Sequence, residues 1–140
     1  MKNLILLFSI ILSFNSCSQN EEEKNSDNSI VGTWKLIEVY SSDGGSNPQW
    51  KLVENGYIYT FKIDGTFTSN RFSECSIGKF ELNNSNLTLR FDCNGFTTGI
   101  ESPEGTFIEN FNKKNNEIIL KPTYLNCIEG CGNKFQKIKN

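Results

Sequence analysis

The sequence has no histidine among its 140 residues, which narrows the chemistry that the chain can perform. Imidazole base catalysis, serine–histidine–aspartate triads and histidine-ligated zinc sites are excluded. Charge is also scarce, since charged residues make up 21% of the chain and the formal net charge is −2. A nucleic-acid-binding protein needs a basic face, so we expect no nucleic-acid partner. We also expect no enzyme activity, no catalytic residue and no cofactor.

Long apolar runs are missing as well. The apolar run at the N-terminus extends only from Leu4 to Phe14, and a membrane-spanning helix needs about 20 residues. With Lys2 before it and Ser16 after it, this run predicts an export signal over residues 1–16. Cys17 follows directly, and a cysteine at this point resembles the bacterial lipobox, whose thiol is acylated once the signal is removed. The resemblance implies lipid attachment at Cys17; the alternative is an ordinary secretory signal followed by an unmodified cysteine.

Residues 17–29 form the second predicted segment, a lipidated cysteine followed by an acidic tether. From Ser18 to Ser29 there is no apolar residue, so this stretch cannot contribute to a core and should be flexible. Its run Glu21-Glu22-Glu23 resembles a surface-export signal of some Gram-negative lipoproteins; the alternative is a plain solvated linker. We therefore expect a bacterial cell-envelope protein, anchored to the outer membrane through acyl chains and facing the periplasm or the surface.

Residues 30–140 are long enough for one domain, and their patterns favour strands. The first strand, Ile30 to Tyr40, has apolar residues at both odd and even positions, which predicts cover on much of both faces. Hairpin signals follow at Asp64-Gly65, at residues 83–86 and at residues 113–116. Without a convincing helical period anywhere, we count eight strands. The prediction is an all-β, eight-stranded antiparallel up-and-down barrel.

Two motifs give this barrel a family resemblance. The Gly32-x-Trp34 opening followed by an antiparallel meander resembles the lipocalin superfamily. The pattern Tyr-x-Phe-x-x-Asp-Gly-Thr-Phe, here Tyr59 to Phe67, resembles the lipocalin-like domain of small bacterial lipoproteins. The resemblance covers roughly residues 30–139, and it implies that Trp34 packs across the closed end of the barrel. It also implies a monomer that takes up one small ligand between its strands.

Four cysteines remain once Cys17 carries lipid, and an even number in an exported protein argues for two disulfides. Three pairings are possible. We favour Cys75 with Cys93 and Cys127 with Cys131, because each pair sits symmetrically about a turn. The alternative, a metal site of four thiolates, is disfavoured by oxidising surroundings and by the absence of paired Cys-x-x-Cys motifs, so we expect no metal.

The hairpin that carries the first cysteine pair has a register set by apolar matching, with Leu82 opposite Leu87. In this register Cys93 lies opposite the neighbour of Cys75 rather than Cys75 itself. A β-bulge at Gly78 would correct the mismatch and let the two sulfur atoms meet.

The functional prediction is a small ligand-binding barrel for an apolar or amphiphilic molecule. Trp50, just beyond a turn-rich loop at the open end, either covers a pocket or packs on the barrel, and we favour packing. The full set of candidate ligand-binding residues is Trp50, Tyr57, Tyr59, Phe61, Phe80, Leu89, Phe91, Phe107 and Phe111. The alternative is a barrel filled by its 11 phenylalanines, with loops or an outer surface that bind a protein or glycan at the cell envelope.

Two carboxylate pairs could in principle serve as acid and base, Glu101 with Glu104 and Glu109 with Glu117. The chain has 16 acidic residues, so such pairs are expected by chance. We therefore interpret these four side chains as parts of solvated faces.

Overall fold

The computed structural model of the chain describes residues 30–42, 47–127 and 130–139. Cys17, the export signal and the tether lie outside these residues, so the predictions about them stay predictions. Every regular element in the described ranges is a β-strand. The nine strands are β1 (Gly32–Ser41), β2 (Gln49–Leu52), β3 (Ile58–Phe61), β4 (Thr66–Ser69), β5 (Ile77–Asn83), β6 (Asn86–Phe91), β7 (Thr106–Lys114), β8 (Glu117–Pro122) and β9 (Gly132–Lys139).

The strands close into a barrel. From β3 to β9 each strand pairs with the next, β3 also pairs with β1, and β9 pairs back with β1. All these pairings are antiparallel. β2 pairs with the second half of β1, along the edge where β3 pairs with the first half. The predicted eight-stranded up-and-down barrel is therefore confirmed, and β2 is one additional strand.

An irregularity in β1 explains why both its odd and its even positions are apolar. The register with β9 shifts between Leu36 and Glu38, so the inward-facing positions change from even to odd there. Trp34 and Leu36 are buried, whereas after the shift Val39 packs against the core. No residue of β1 is exposed, so the expectation of cover on much of both faces is confirmed, although the two apolar sets mostly belong to different halves of the strand.

The predicted hairpins are present, each with turn residues suited to its geometry. Gly65 has φ +81°, and the Asp64 carboxylate accepts a hydrogen bond from the Thr66 N–H at 2.9 Å. Asn84 and Asn115 adopt φ values of 52° and 55°, a region that asparagine tolerates better than most residues. β3 ends at Phe61, so the neighbouring Ile63 is exposed in the turn.

Both predicted disulfides are present, Cys75–Cys93 and Cys127–Cys131. The apolar register between β5 and β6 is also as predicted. The bulge at Gly78 was wrong, since Gly78 pairs regularly with Phe91. Cys75 precedes β5 and Cys93 follows β6, and these irregular segments provide the freedom that a bulge was expected to supply.

The two ends of the barrel differ. At one end, called here the tryptophan end, lie the first residues of β1, the last residues of β9 and the three tight hairpin turns. Trp34 is fully buried near this end, and its Nε1 donates a hydrogen bond to the Ile30 carbonyl at 2.6 Å. The Lys137 ammonium lies 5.5 Å from the centre of its ring. The opposite end, called the loop end, carries the connections after β1, β4, β6 and β8.

Candidate ligand-binding site

The barrel interior contains most of the residues predicted to face inward. Six of them are buried, and Tyr57 and Phe80 are partly buried and pack against the core. Neighbouring rings have centroids 4.9 to 6.0 Å apart, in mainly tilted or edge-to-face geometry. The buried six are Tyr59, Phe61, Leu89, Phe91, Phe107 and Phe111. Aromatic rings therefore occupy much of the space between the strands.

Trp50 does not line this interior. It pairs with Tyr40 on the half of β1 where Val39 faces the core, so both rings lie on the outer face of the sheet. Their centroids are 5.1 Å apart, and the Lys134 ammonium lies 4.4 Å above the Trp50 ring. Lys134 also forms an ion pair with Glu38. The structure thus favours the packing alternative and removes Trp50 from the interior candidates.

A polar cluster lies among the rings towards the loop end, called here the Arg71 cluster: Arg71, Tyr57, Tyr59, Glu109 and Tyr124. Arg71 Nη1 donates to the Tyr59 hydroxyl at 3.2 Å, and Nη2 donates to the Tyr124 hydroxyl at 3.2 Å. The Tyr124 hydroxyl donates to Glu109 Oε1 at 3.0 Å. Arg71 Nη1 lies 3.7 Å from the same carboxylate oxygen. The cluster thus joins three separate parts of the chain around one guanidinium.

Three members of the cluster, Arg71, Tyr124 and Glu109, are positioned by backbone structure nearby. Arg71 follows the end of β4, and its own N–H donates to the Ser69 hydroxyl at 3.0 Å. Tyr124 follows β8, where the Thr123 N–H and hydroxyl both donate to the Ile108 carbonyl of β7. Glu109 lies on β7 itself, opposite Leu87 of β6. The cation therefore comes from a connection, whereas the carboxylate is fixed in the barrel wall.

Aromatic faces surround the guanidinium. Arg71 Cζ lies 4.8 Å from the centre of the Phe72 ring, 5.0 Å from that of Phe107 and 5.6 Å from that of Tyr57. Such contacts stabilise a cation that has been removed from water. The Arg71 side chain keeps 17% of its surface exposed, compared with 1% for Glu109. Arg71 is thus the member of the ion pair that a molecule arriving from solvent would meet first.

Glu109 is a buried carboxyl group, which contradicts its interpretation as part of a solvated face. Burial raises its pKa to about 7, although the Arg71 charge and the Tyr124 hydroxyl both act to lower it. Among the described residues, Glu109 Oε2 is buried without any hydrogen-bond partner. Burial also raises the pKa of the Tyr57, Tyr59 and Tyr124 hydroxyls, to about 12 for Tyr124. The phenols therefore stay neutral at ordinary pH.

Glu101 was also wrongly assigned to a solvated face, since it is buried in the connection between β6 and β7. Its carboxylate accepts hydrogen bonds from the N–H groups of Thr98 at 2.8 Å and Gly105 at 2.9 Å, and from the Thr98 hydroxyl. Burial alone would raise the pKa of Glu101, but these hydrogen bonds hold it well below its usual value. Glu101 therefore has a structural role in shaping this connection.

A groove of about 460 Å³ lies beside the Arg71 cluster at the loop end. It is lined by Phe72, Phe96 and residues 74, 93–95 and 97–98. The centres of the Phe72 and Phe96 rings are 5.1 Å apart. Arg71 Cζ lies 4.8 Å from the centre of the Phe72 ring. The sequence left Phe96 unplaced, and here it provides one apolar wall. Phe72 thus lies between the groove and the Arg71 cluster and contacts both.

The described ranges contain no group of three or more cysteine, aspartate or glutamate side chains placed to hold a metal ion. Within the same ranges, no helix has the length and apolar character needed to cross a membrane.

Comparison with known proteins supports the fold assignment. Residues 30–120 match the family model described as "Lipocalin-like domain". No curated protein matches the chain.

Three solved structures are similar in fold. A lipocalin-like protein from Bacteroides uniformis is 15% identical with a TM-score of 0.51, covering 77% of this chain and 97% of its own. An uncharacterized protein from Bacteroides eggerthii is 17% identical with a TM-score of 0.52, covering 77% and 98%. A DUF4847 family protein from Bacteroides vulgatus is 18% identical with a TM-score of 0.51, covering 82% and 98%. At these identities the likeness concerns the fold alone.

Proposed function

The chain belongs to the lipocalin-like domain family, and from this premise we propose that it binds a small amphiphilic ligand at the loop end of its barrel. The observation that carries the proposal is the Arg71 cluster. A guanidinium that is partly exposed lies between aromatic faces, and one of these, Phe72, also lines a groove together with Phe96. An apolar body can pack on Phe72 and Phe96 while a polar group meets Arg71.

The packed interior favours this position over a deep central cavity. The rings of β3, β4, β6 and β7 form a continuous series of contacts inside the barrel, so a ligand there would have to displace them. At the loop end, Phe72, Phe96 and Tyr124 are only partly buried. Their rings can therefore receive a ligand with smaller rearrangement of the core.

We test binding with native mass spectrometry of the protein purified from its own host, followed by titration with dodecanoate. We expect a retained small molecule in the purified protein and saturable dodecanoate binding. Arg71→Ala should weaken that binding at least tenfold, whereas Arg90→Ala should leave it unchanged because Arg90 is exposed on β6. Arg71→Lys keeps the charge and serves as a second variant if Arg71→Ala does not fold. A wild-type protein that retains nothing and binds no amphiphile would refute the proposal.

A second candidate function follows from the same ring packing, namely an interaction module that binds a protein or glycan through its outer surface. The outer cluster of Tyr40, Trp50 and Lys134 is the feature that favours it, since two aromatic rings and a cation lie together on the outer face of the sheet. Trp50→Ala should then abolish binding to cell-envelope glycans while leaving amphiphile binding intact. Amphiphile binding that depends on Arg71 would favour the first candidate.

Membrane attachment through Cys17 is the other part of the proposal, and it is supported by the lipobox-like position of this cysteine after the apolar run. Metabolic labelling of the native host with an alkyne analogue of palmitate tests it. The wild-type protein should carry label and sediment with outer membranes, and Cys17→Ser should do neither. Protease digestion of intact cells then distinguishes a surface-facing domain, which is cleaved, from a periplasmic one. An unlabelled wild-type protein would refute lipid attachment at Cys17 and would leave the proposed ligand site unaffected.

A further inference from the structure

Glu109 Oε2 is the polar atom in the described structure that calls for an explanation. It is buried, and no described group donates to it or accepts from it. An unsatisfied buried polar group costs about 1 to 3 kcal/mol, more if charged, so proteins seldom keep one without a reason. Its place in the Arg71 cluster suggests that the missing partner is a ligand atom.

The Arg71 guanidinium, which lies beside Glu109, also has hydrogen-bond donors that the described residues do not use. Among the described residues its hydrogen bonds go to two phenol oxygens, those of Tyr59 and Tyr124. Glu109 Oε1, at 3.7 Å, is beyond hydrogen-bond distance. Arg71 therefore lacks the paired, two-point contact with a carboxylate that its planar group favours. A carboxylate reaching the loop end could supply that contact.

The charges around Glu109 limit what such a ligand can do. Arg71 comes from the connection after β4, and Tyr124 from the segment after β8. Tyr59 lies on β3, and Tyr57 directly precedes that strand. The strand neighbours opposite Glu109 on β6 and β8 are Leu87 and Pro122, which carry no charge. The only cation in this set is Arg71. Two carboxylates sharing it in a buried place would leave an uncompensated negative charge, so one of them must take a proton.

We propose, on the basis of the function proposed above, that the polar group of the ligand is a carboxylate and that its binding is coupled to protonation of Glu109. The ligand carboxylate accepts hydrogen bonds from Arg71. Glu109 takes one proton from solvent, and its Oε2–H donates to a ligand oxygen. No bond in the ligand breaks; the one proton gained balances the one negative charge brought in. Glu109 Oε2 thereby gains the partner that it lacks.

The pH range of this coupling follows from the cluster. Without ligand, the pKa of Glu109 is about 7, so the carboxyl group is mostly ionised at pH 8 and mostly protonated at pH 5.5. Binding of a carboxylate should take up about one proton at pH 8 and almost none at pH 5.5. Above pH 7 the affinity should fall about tenfold per pH unit, because each binding event must first protonate Glu109.

Isothermal titration of the full chain with dodecanoate, in buffers of different ionisation enthalpy, measures this proton uptake. Dodecanol has the same chain length without the charge, and it should bind with neither proton uptake nor pH dependence. Glu109→Gln should bind dodecanoate without proton uptake, since its amide donates without titrating. Glu117→Gln changes an exposed carboxylate on β8 and should behave as wild type.

The outcomes separate the two proposals. If dodecanoate and dodecanol bind equally well, or dodecanoate binds with no proton uptake at pH 8, the coupling to Glu109 is wrong while the ligand-binding function stands. If Glu109→Gln takes up protons as the wild type does, another group is responsible and the inference fails. If neither amphiphile binds at any pH, the proposed function and this inference fail together.

Discussion

The burial of Glu109 predicts how the stability of the folded chain varies with pH. The pKa of this carboxyl group rises from an ordinary value of 4.5 to about 7 in the folded state. Between these values the folded chain holds a proton that the unfolded chain has released, so the free energy of unfolding falls as pH increases. The contribution of Glu109 is fully present below pH 4.5 and is lost as pH rises through about 7.

The size of the effect follows from the difference between the two pKa values. At about 1.4 kcal/mol per pH unit, it amounts to about 3 kcal/mol between pH 4.5 and pH 8. Glu101 and Asp64 act outside this range, because their pKa values are lowered by hydrogen bonding and their contributions are lost only under more acidic conditions. The interval from pH 4.5 to pH 8 therefore isolates Glu109 among the described carboxyl groups with a perturbed pKa.

Urea unfolding at a series of pH values, followed by tryptophan fluorescence, gives the required free energies. The wild type should lose about 3 kcal/mol relative to Glu109→Gln across this range, whatever the absolute stability of the variant. Glu117→Gln should follow the wild-type curve, since its side chain is exposed on β8. Parallel curves for the wild type and Glu109→Gln would refute the reasoning, because they would mean that Glu109 titrates alike in the folded and unfolded chains.

Three further predictions concern the stability of the barrel, and each is measured by chemical unfolding. Replacing Cys75 and Cys93 by serine should cost about 3 kcal/mol, against about 2 kcal/mol for Cys127 and Cys131, because the first pair closes the longer loop; equal losses would contradict the loop-length argument. Trp34→Ala should cost about 3 to 5 kcal/mol because the ring is fully buried, whereas Trp50→Ala should cost only about 1 kcal/mol from its outer-face contacts; a reversed order would disprove the placement of these rings. Gly78→Ala should cost about 1 to 3 kcal/mol, because the added Cβ would lie 2.2 Å from the Arg90 carbonyl oxygen, and a neutral effect would show that β5 and β6 do not pack as described.

Local signals made much of the barrel predictable. Alternating apolar residues, an Asp-Gly turn and asparagine-rich turns each depend on neighbours within a few residues. They were sufficient for the eight strands of the barrel, though not for β2, and for the hairpins, the register around Leu82 and both disulfides. The bulge near Ile37 was missed because its apolar pattern is the same as that of a strand covered on both faces. Only the pairing with β9, almost 100 residues later in the chain, reveals the difference.

The Arg71 cluster was missed for two different reasons. Arg71 and Tyr124 are 53 residues apart, and nothing local in the sequence brings their side chains together. Glu109 did have a signal, since it alternates with Phe107 and Phe111, both of which were predicted to face inward. A strand that places these two rings in the core must place the residue between them there as well. The interpretation of Glu109 as solvated relied on the 16 acidic residues of the chain. The alternation of Glu109 with two inward-facing rings was the stronger signal.

The division of roles within the fold explains why the proposed ligand site depends on connections more than on strands. The closed sheet holds its rings in contact and fixes Glu109 in the wall. Arg71 and Tyr124 belong to irregular segments, where backbone change is less costly than within a paired strand. The polar groups of Arg71 and Tyr124 can therefore adjust to a ligand at the proposed site more easily than the rings of the closed sheet can.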